Sequence, residues 1–138
     1  MNTEQQKETN RIIVCGVLGI ITMVYLALIG CVNVQHFNYK MNSDIGAEAV
    51  LARLIWNSGE MVPSTWISST ETRIIATPQL AALFYGWTGD MNLGLGLACC
   101  VMTTGILLAI WCFMKKAGFR TERCLLMCVL SLALSGNM

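Results

Sequence analysis

The first long apolar stretch of the chain is IIVCGVLGIITMVYLALIGCVNV, residues 12–34. These 23 residues contain no Asp, Glu, Lys or Arg. A helix of this length rises about 34 Å at ~1.5 Å per residue, which exceeds the ~30 Å hydrocarbon core of a bilayer. The stretch therefore predicts a transmembrane helix that crosses the membrane completely.

The end of this stretch also fits a second pattern, because Leu28-Ile29-Gly30-Cys31 matches the cleavage site of a bacterial lipoprotein signal. Cleavage there would make Cys31 a lipid anchor. The apolar stretch is longer than the roughly 7–15 residues of a signal core, and two more apolar segments follow it. These observations favour an uncleaved helix.

Two further segments are apolar and free of charged residues. Residues 91–114 count 24, enough for a second full crossing, and Gly94 and Ala98 predict a face for close helix packing. Residues 124–138 count only 15, about 22 Å as a helix, and predict a partial third span. With 55% hydrophobic and 12% charged residues, the composition excludes a soluble globular protein and predicts an all-α integral membrane protein.

The charges and cysteines argue against several other functions. A net charge of +1 provides no basic surface for nucleic acid, and the polar segments contain no glycine-rich loop for a cytosolic nucleotide. All seven cysteines lie inside the apolar stretches, which predicts small apolar side chains rather than a disulfide framework. No cofactor motif is evident.

The distribution of basic residues predicts the orientation. Six of the nine lie in residues 1–11 and 115–123, and three lie in residues 35–90. Cytoplasmic segments of membrane proteins carry an excess of Lys and Arg. Residues 1–11 and 115–123 are therefore predicted to be cytoplasmic, and residues 35–90 are predicted to be external. We therefore expect a multi-pass protein of the plasma membrane with a cytoplasmic N-terminus.

The external loop contains signals for two short helices. Asn42-Ser43-Asp44 offers cap residues for a helix near 45–58, and Gly59 is placed to end it. Thr77-Pro78, a cap residue followed by proline, begins a second helix near 78–87. Apolar residues surround most of the first helix, so it needs more than one packing partner, and the chain supplies few.

Acidic residues of the first external helix are the candidates for chemistry. Asp44 and Glu48 are four residues apart and share one face of the helix. Paired carboxylates at a membrane surface can bind a divalent metal or act as a base. The structural alternative is that Asp44 caps the helix and Glu48 complements its dipole. Glu71 and Arg73 can bind a polar ligand, with solvated loop charges as the alternative.

Three segments of the loop resemble a group of uncharacterised bacterial multi-pass membrane proteins. They are Asp44-Ile-Gly-Ala-Glu48-Ala-Val-Leu-Ala-Arg53, Trp66-Ile-Ser-Ser-Thr-Glu71-Thr-Arg73 and Gln79-Leu-Ala-Ala-Leu-Phe84. That group is in turn similar to the GT-C class of membrane glycosyltransferases, and the resemblance covers roughly residues 10–135.

The resemblance implies a role for Asp44. In the GT-C class an acid just after the first span, followed by two short interfacial helices, forms part of the active site. By position, Asp44 would then be the catalytic base or help to hold a metal. We take Glu48 as the second candidate acid and Glu71, Arg73 and Trp66 as the candidates for substrate binding. The donor would be a sugar linked to a polyprenyl phosphate.

Two functions follow as expectations. The first is an N-terminal fragment of a multi-pass, lipid-linked-sugar glycosyltransferase that is inactive alone, since two and a half spans provide few walls for a cavity. The alternative is a small, non-enzymatic membrane accessory or structural protein whose external loop binds a partner.

Overall fold

The chain is all-α in its computed structural model, which describes residues 3–35, 43–67 and 76–135. The described residues form five helices: α1 Thr3–Gln35, α2 Ser43–Ser58, α3 Thr77–Thr88, α4 Met91–Lys116 and α5 Thr121–Ser135. The all-α prediction is confirmed, and both short helices of the loop are present close to their predicted positions.

Two of the helices, α1 and α4, are long and apolar enough to cross a membrane. The helix α1 begins at Thr3, nine residues before the predicted span, because residues 3–11 are mostly good helix formers without Gly or Pro. The third apolar segment falls on α5, which begins at Thr121 instead of residue 124. Its Glu122 complements the helix dipole in the first turn.

The helices divide into two compact units. The first unit contains α1 up to Ile29, α4 from Thr103 onward, and α5. Its core consists of buried apolar side chains of α4 and α5, with partly buried residues of α1 packed against them: Leu107, Cys128 and Leu132, then Leu26 and Ile29. Cys128 thus acts as a small apolar side chain here, as its position in an apolar stretch predicts.

An ion pair joins two helices of the first unit. The Nε atom of Arg11 in α1 lies 3.4 Å from Oε1 of Glu122 in α5, and Nη1 of Arg120 lies 4.0 Å from the same oxygen. The pKa of Glu122 is lowered chiefly by a hydrogen bond from its own backbone amide, with the charges of Arg11 and Arg120 adding to this against the effect of desolvation. The carboxylate is therefore held in its ionised form.

The second unit contains α2, α3, the last residues of α1 and the first half of α4, within Gly30–Met102. Its core is formed by small and aliphatic side chains from three helices: Ala52, Ile55, Ala81, Ala82, Leu95 and Ala98. The expectation that α2 has few packing partners is wrong, because α3 and α4 both contribute to its core. Alanines at these positions allow the helices to approach closely.

Glycines of α4 allow close helix contacts in this unit. A Cβ atom at Gly94 would lie 3.0 Å from the Ala81 carbonyl oxygen and 3.1 Å from the Tyr85 nitrogen. Gly94 and Ala98 are both buried. The predicted close-packing face is therefore confirmed, and its partner is α3. A Cβ at Gly96 would collide with the carbonyl group of Asn33 in α1.

The ends of α2 and α3 follow the sequence signals in part. Gly59 ends α2 with a φ of 70°, and its amide donates to the Ile55 carbonyl at 2.9 Å, as predicted. The predicted cap of α3 is wrong by one residue. Ala76 occupies the N-cap, and Thr77 and Pro78 are already helical. An alanine suffices there because the Gln79 side chain accepts from the Ala76 amide at 2.9 Å.

Candidate functional site

The Asp44 carboxylate is exposed in the first turn of α2. Since the helix begins at Ser43, Asp44 lies within the first turn instead of at the cap position. A negative charge there is favourable because the first amides of a helix point toward it. The rest of α2 is fixed in place, since Ala52 and Ile55 are buried in the core of the second unit. The acid therefore extends from an anchored helix into solvent.

Glu48, one turn later, is in a different environment. Its side chain is half-buried, whereas that of Asp44 is exposed. The Glu48 carboxylate is therefore less open to solvent than the Asp44 carboxylate. Two acids four residues apart thus differ in accessibility, a distinction that the helical spacing alone did not reveal.

The arrangement does not contain a set of metal ligands within the part of the chain that the structure describes. No three His, Cys, Asp or Glu side chains of residues 3–35, 43–67 and 76–135 come close enough to hold an ion. Asp44 and Glu48 therefore have no third ligand among these residues.

Of the three residues predicted to bind substrate, the structure describes one. Trp66 is half-buried in the segment after α2, where its amide donates to the Pro63 carbonyl at 2.9 Å. Glu71 and Arg73 lie outside the described residues. The structure therefore does not bring these three together with Asp44.

Contacts along one edge of the α2–α3 pair were missed by the sequence reasoning. The guanidinium of Arg53 lies over the Tyr85 ring, 5.8 Å from its centroid. The indole of Trp56 lies over Gly86, in the space that a Cβ atom would occupy. We call these four residues the Arg53 edge. The glycine in an otherwise regular helix was the available signal, because it marks a close approach by another group.

Gln79 connects α3 to the segment that follows α2. Its side chain is 7% exposed, and besides accepting from Ala76 it donates from Nε2 to the Met61 carbonyl at 3.4 Å. A buried carboxamide with both ends bonded fixes the start of α3. It thereby helps to hold α3 in place beside α2.

No protein-family model matches the chain, and no curated protein or solved structure matches it.

Proposed function

We propose that the chain provides the first external loop of a multi-pass membrane glycosyltransferase that uses a lipid-linked sugar, with Asp44 as the general base. The observation that carries this proposal is that one part of α2 is buried in a core while its first turn is exposed. The helix is anchored by Ala52 and Ile55, while its first turn presents an exposed carboxylate. Catalytic groups are most effective when a rigid element positions them.

The proposed chemistry assigns separate roles to the two acids. Asp44 accepts the proton of an acceptor hydroxyl as that oxygen attacks the sugar carbon, and the phosphate of the lipid carrier leaves with the bonding electrons. Glu48 is half-buried and does not reach solvent as freely. Its role is to position α2 and to add negative charge behind Asp44.

The membrane placement rests on α1 and α4. None of the most apolar 18-residue window of α1 is buried inside the protein, and in α4 the share is 28%. Apolar surface of this extent requires lipid or other helices as its cover. With basic residues concentrated in residues 1–11 and 115–123, we place these segments in the cytoplasm and the α2–α3 pair outside.

A second candidate function is a non-enzymatic accessory protein whose external α2–α3 pair binds a partner. The observation that favours it is that α2 finds its packing partners, α3 and α4, within this chain. A preformed helical pair with exposed Leu83 and Trp87 offers a surface to another membrane protein. In this case neither acid takes part in chemistry.

The experiment that separates the two functions is Asp44→Asn, measured as sugar transfer from a polyprenyl-phosphate donor in membranes containing the full protein. Loss of a general base typically lowers the rate by about 10²–10⁴-fold, whereas Asn is well tolerated near a helix start. We expect transfer to be lost at normal membrane levels, with a milder effect of Glu48→Gln.

Asp90→Asn is the matched control. Asp90 is an exposed acid at the start of α4, where its Oδ1 accepts from the Asn92 amide at 2.8 Å. An asparagine oxygen can accept the same bond, so this variant should retain activity. Full transfer activity in Asp44→Asn would remove the catalytic assignment and leave α2 as a structural element.

A further inference from the structure

We propose that the Arg53 edge is a binding site for the phosphate of an anionic phospholipid head group in the outer leaflet. The inference rests on the external placement of the α2–α3 pair given above. The proposed ligand is a bulk membrane lipid and not the lipid-linked sugar. The residue that binds it is Arg53, whereas Asp44 and Glu48 are the acids assigned to sugar transfer.

The first argument is the state of the Arg53 guanidinium. The side chain is exposed, and its guanidinium carbon lies over the Tyr85 ring, 5.8 Å from the ring centroid. None of the acids in the described ranges forms an ion pair with it, whereas Arg11 and Arg120 both approach Glu122. A ring against one face of a planar guanidinium does not use its N–H donors, because these point outward along the rim of the plane.

The second argument is the apolar character of the surface around this cation. Val50, one turn earlier, is 55% exposed, and Trp56, one turn later, is 49% exposed although its indole rests on Gly86. Trp and Arg beside aliphatic residues are typical of the membrane interface, where the ring lies at head-group level.

The third argument is the position of this surface along the chain. The helix α3 ends at Thr88 and α4 begins at Met91, with Gly89 and Asp90 between them. Because α4 is long and apolar enough to enter the bilayer, a connection of two residues keeps Trp87 at the membrane surface. The α2–α3 pair therefore lies against lipid head groups, and these supply the phosphate.

Charge and geometry select an anionic lipid as the occupant. A guanidinium presents paired N–H donors that match two phosphate oxygens, which gives a directional, charge-assisted contact. A zwitterionic lipid offers the same phosphate but also an ammonium group that Arg53 repels. We therefore expect phosphatidylglycerol to bind more tightly than phosphatidylcholine.

The test uses the purified full chain in detergent, titrated with short-chain phosphatidylglycerol or phosphatidylcholine, with bound lipid counted by native mass spectrometry. One basic residue near a membrane surface is worth roughly a fivefold change in affinity for anionic lipid. We expect Arg53→Gln to weaken phosphatidylglycerol binding by about that factor. The affinity for phosphatidylcholine should remain unchanged.

Further variants test whether lipid binding depends on the position of Arg53 beside the Tyr85 ring or only on its positive charge. Tyr85→Phe retains the ring and should bind lipid normally, whereas Tyr85→Leu removes the face that positions Arg53 and should weaken binding. Arg123→Gln is the matched control, because it removes an exposed charge from residues 115–123, the segment that we place in the cytoplasm. Wild-type affinity in Arg53→Gln, or an equal loss in Arg123→Gln, would overturn the proposal.

A competition experiment distinguishes a lipid from a free anion. Millimolar inorganic phosphate should fail to displace phosphatidylglycerol, because the acyl chains also contact the apolar residues around Arg53. Displacement by inorganic phosphate would show a general anion site and overturn the lipid assignment. The readout of these experiments is lipid binding and not sugar transfer. A negative result for Arg53 therefore leaves the proposed role of Asp44 intact, and a negative result for Asp44 leaves the proposed lipid site intact.

Discussion

The Asn33 carbonyl group of α1 lies where a Cβ atom at Gly96 of α4 would be. Two helix backbones therefore touch at this point without an intervening side chain. Close contacts of this kind bring many backbone atoms within van der Waals distance, and they are a main source of helix association in membranes. The contact requires glycine at position 96.

Gly96→Ala should destabilise the second unit. The added methyl group would meet backbone atoms, which cannot rotate away as a flexible side chain can. Thermal unfolding of the purified chain in detergent should occur at a lower temperature. Gly105→Ala in the same helix is the control, because a Cβ there meets nothing within 4 Å. A similar melting temperature for the two variants would contradict the close contact.

Glu122 should make the stability of the first unit depend on pH. Because the pKa of Glu122 is lowered in the folded chain, its ionisation stabilises the fold fully above the ordinary value of 4.5. This contribution disappears as the pH falls through the lowered folded-state pKa. Glu122→Gln should reduce the melting temperature at pH 7 and have little effect at pH 2, while Glu8→Gln, at an exposed position of α1, should change neither.

Gln79→Ala should loosen the start of α3. The substitution leaves the Ala76 amide and the Met61 carbonyl without the Gln79 partner, and an unsatisfied buried polar group costs about 1–3 kcal/mol. Hydrogen exchange at the first turn of α3 should accelerate, with a lower melting temperature. Asn57→Ala, at an exposed position of α2, should leave both unchanged. Wild-type exchange in Gln79→Ala would refute the role of these hydrogen bonds.

The orientation can be tested by labelling single cysteines in a background without the native ones. Ser64 and Ala117 are both exposed, so each is suitable as a labelling site. Cysteine at Ser64 should react with a membrane-impermeant maleimide in intact cells, and cysteine at Ala117 should react only after permeabilisation. The opposite pattern would invert the topology and place the α2–α3 pair in the cytoplasm.

The helices were predictable because their signals are local. The charge-free stretches mark α1 and α4, and Gly59 marks the end of α2. The start of α1 was missed because the prediction followed hydropathy, whereas a helix continues through polar residues that favour it. The cap of α3 was misplaced because Gln79 satisfies the backbone from inside the helix, and Ala76 can then occupy the cap.

The candidate site was less predictable because its neighbours are distant in sequence. Spacing placed Asp44 and Glu48 on one face, but only the packing of α2 against α3 and α4 shows that one is exposed and the other half-buried. The contact between Arg53 and Tyr85 joins residues 32 positions apart. A single sequence carries no signal for such a pair.

The two units differ in how their residues are distributed along the chain, and this difference has a consequence for biosynthesis. The second unit is one continuous segment, Gly30–Met102, whereas the first joins α1 up to Ile29 with residues from Thr103 onward. The ribosome has therefore made every residue of the second unit before it adds the first residue of α5. The core of α2, α3 and α4 can pack during translation, while the partners of Arg11 and Leu26 arrive last.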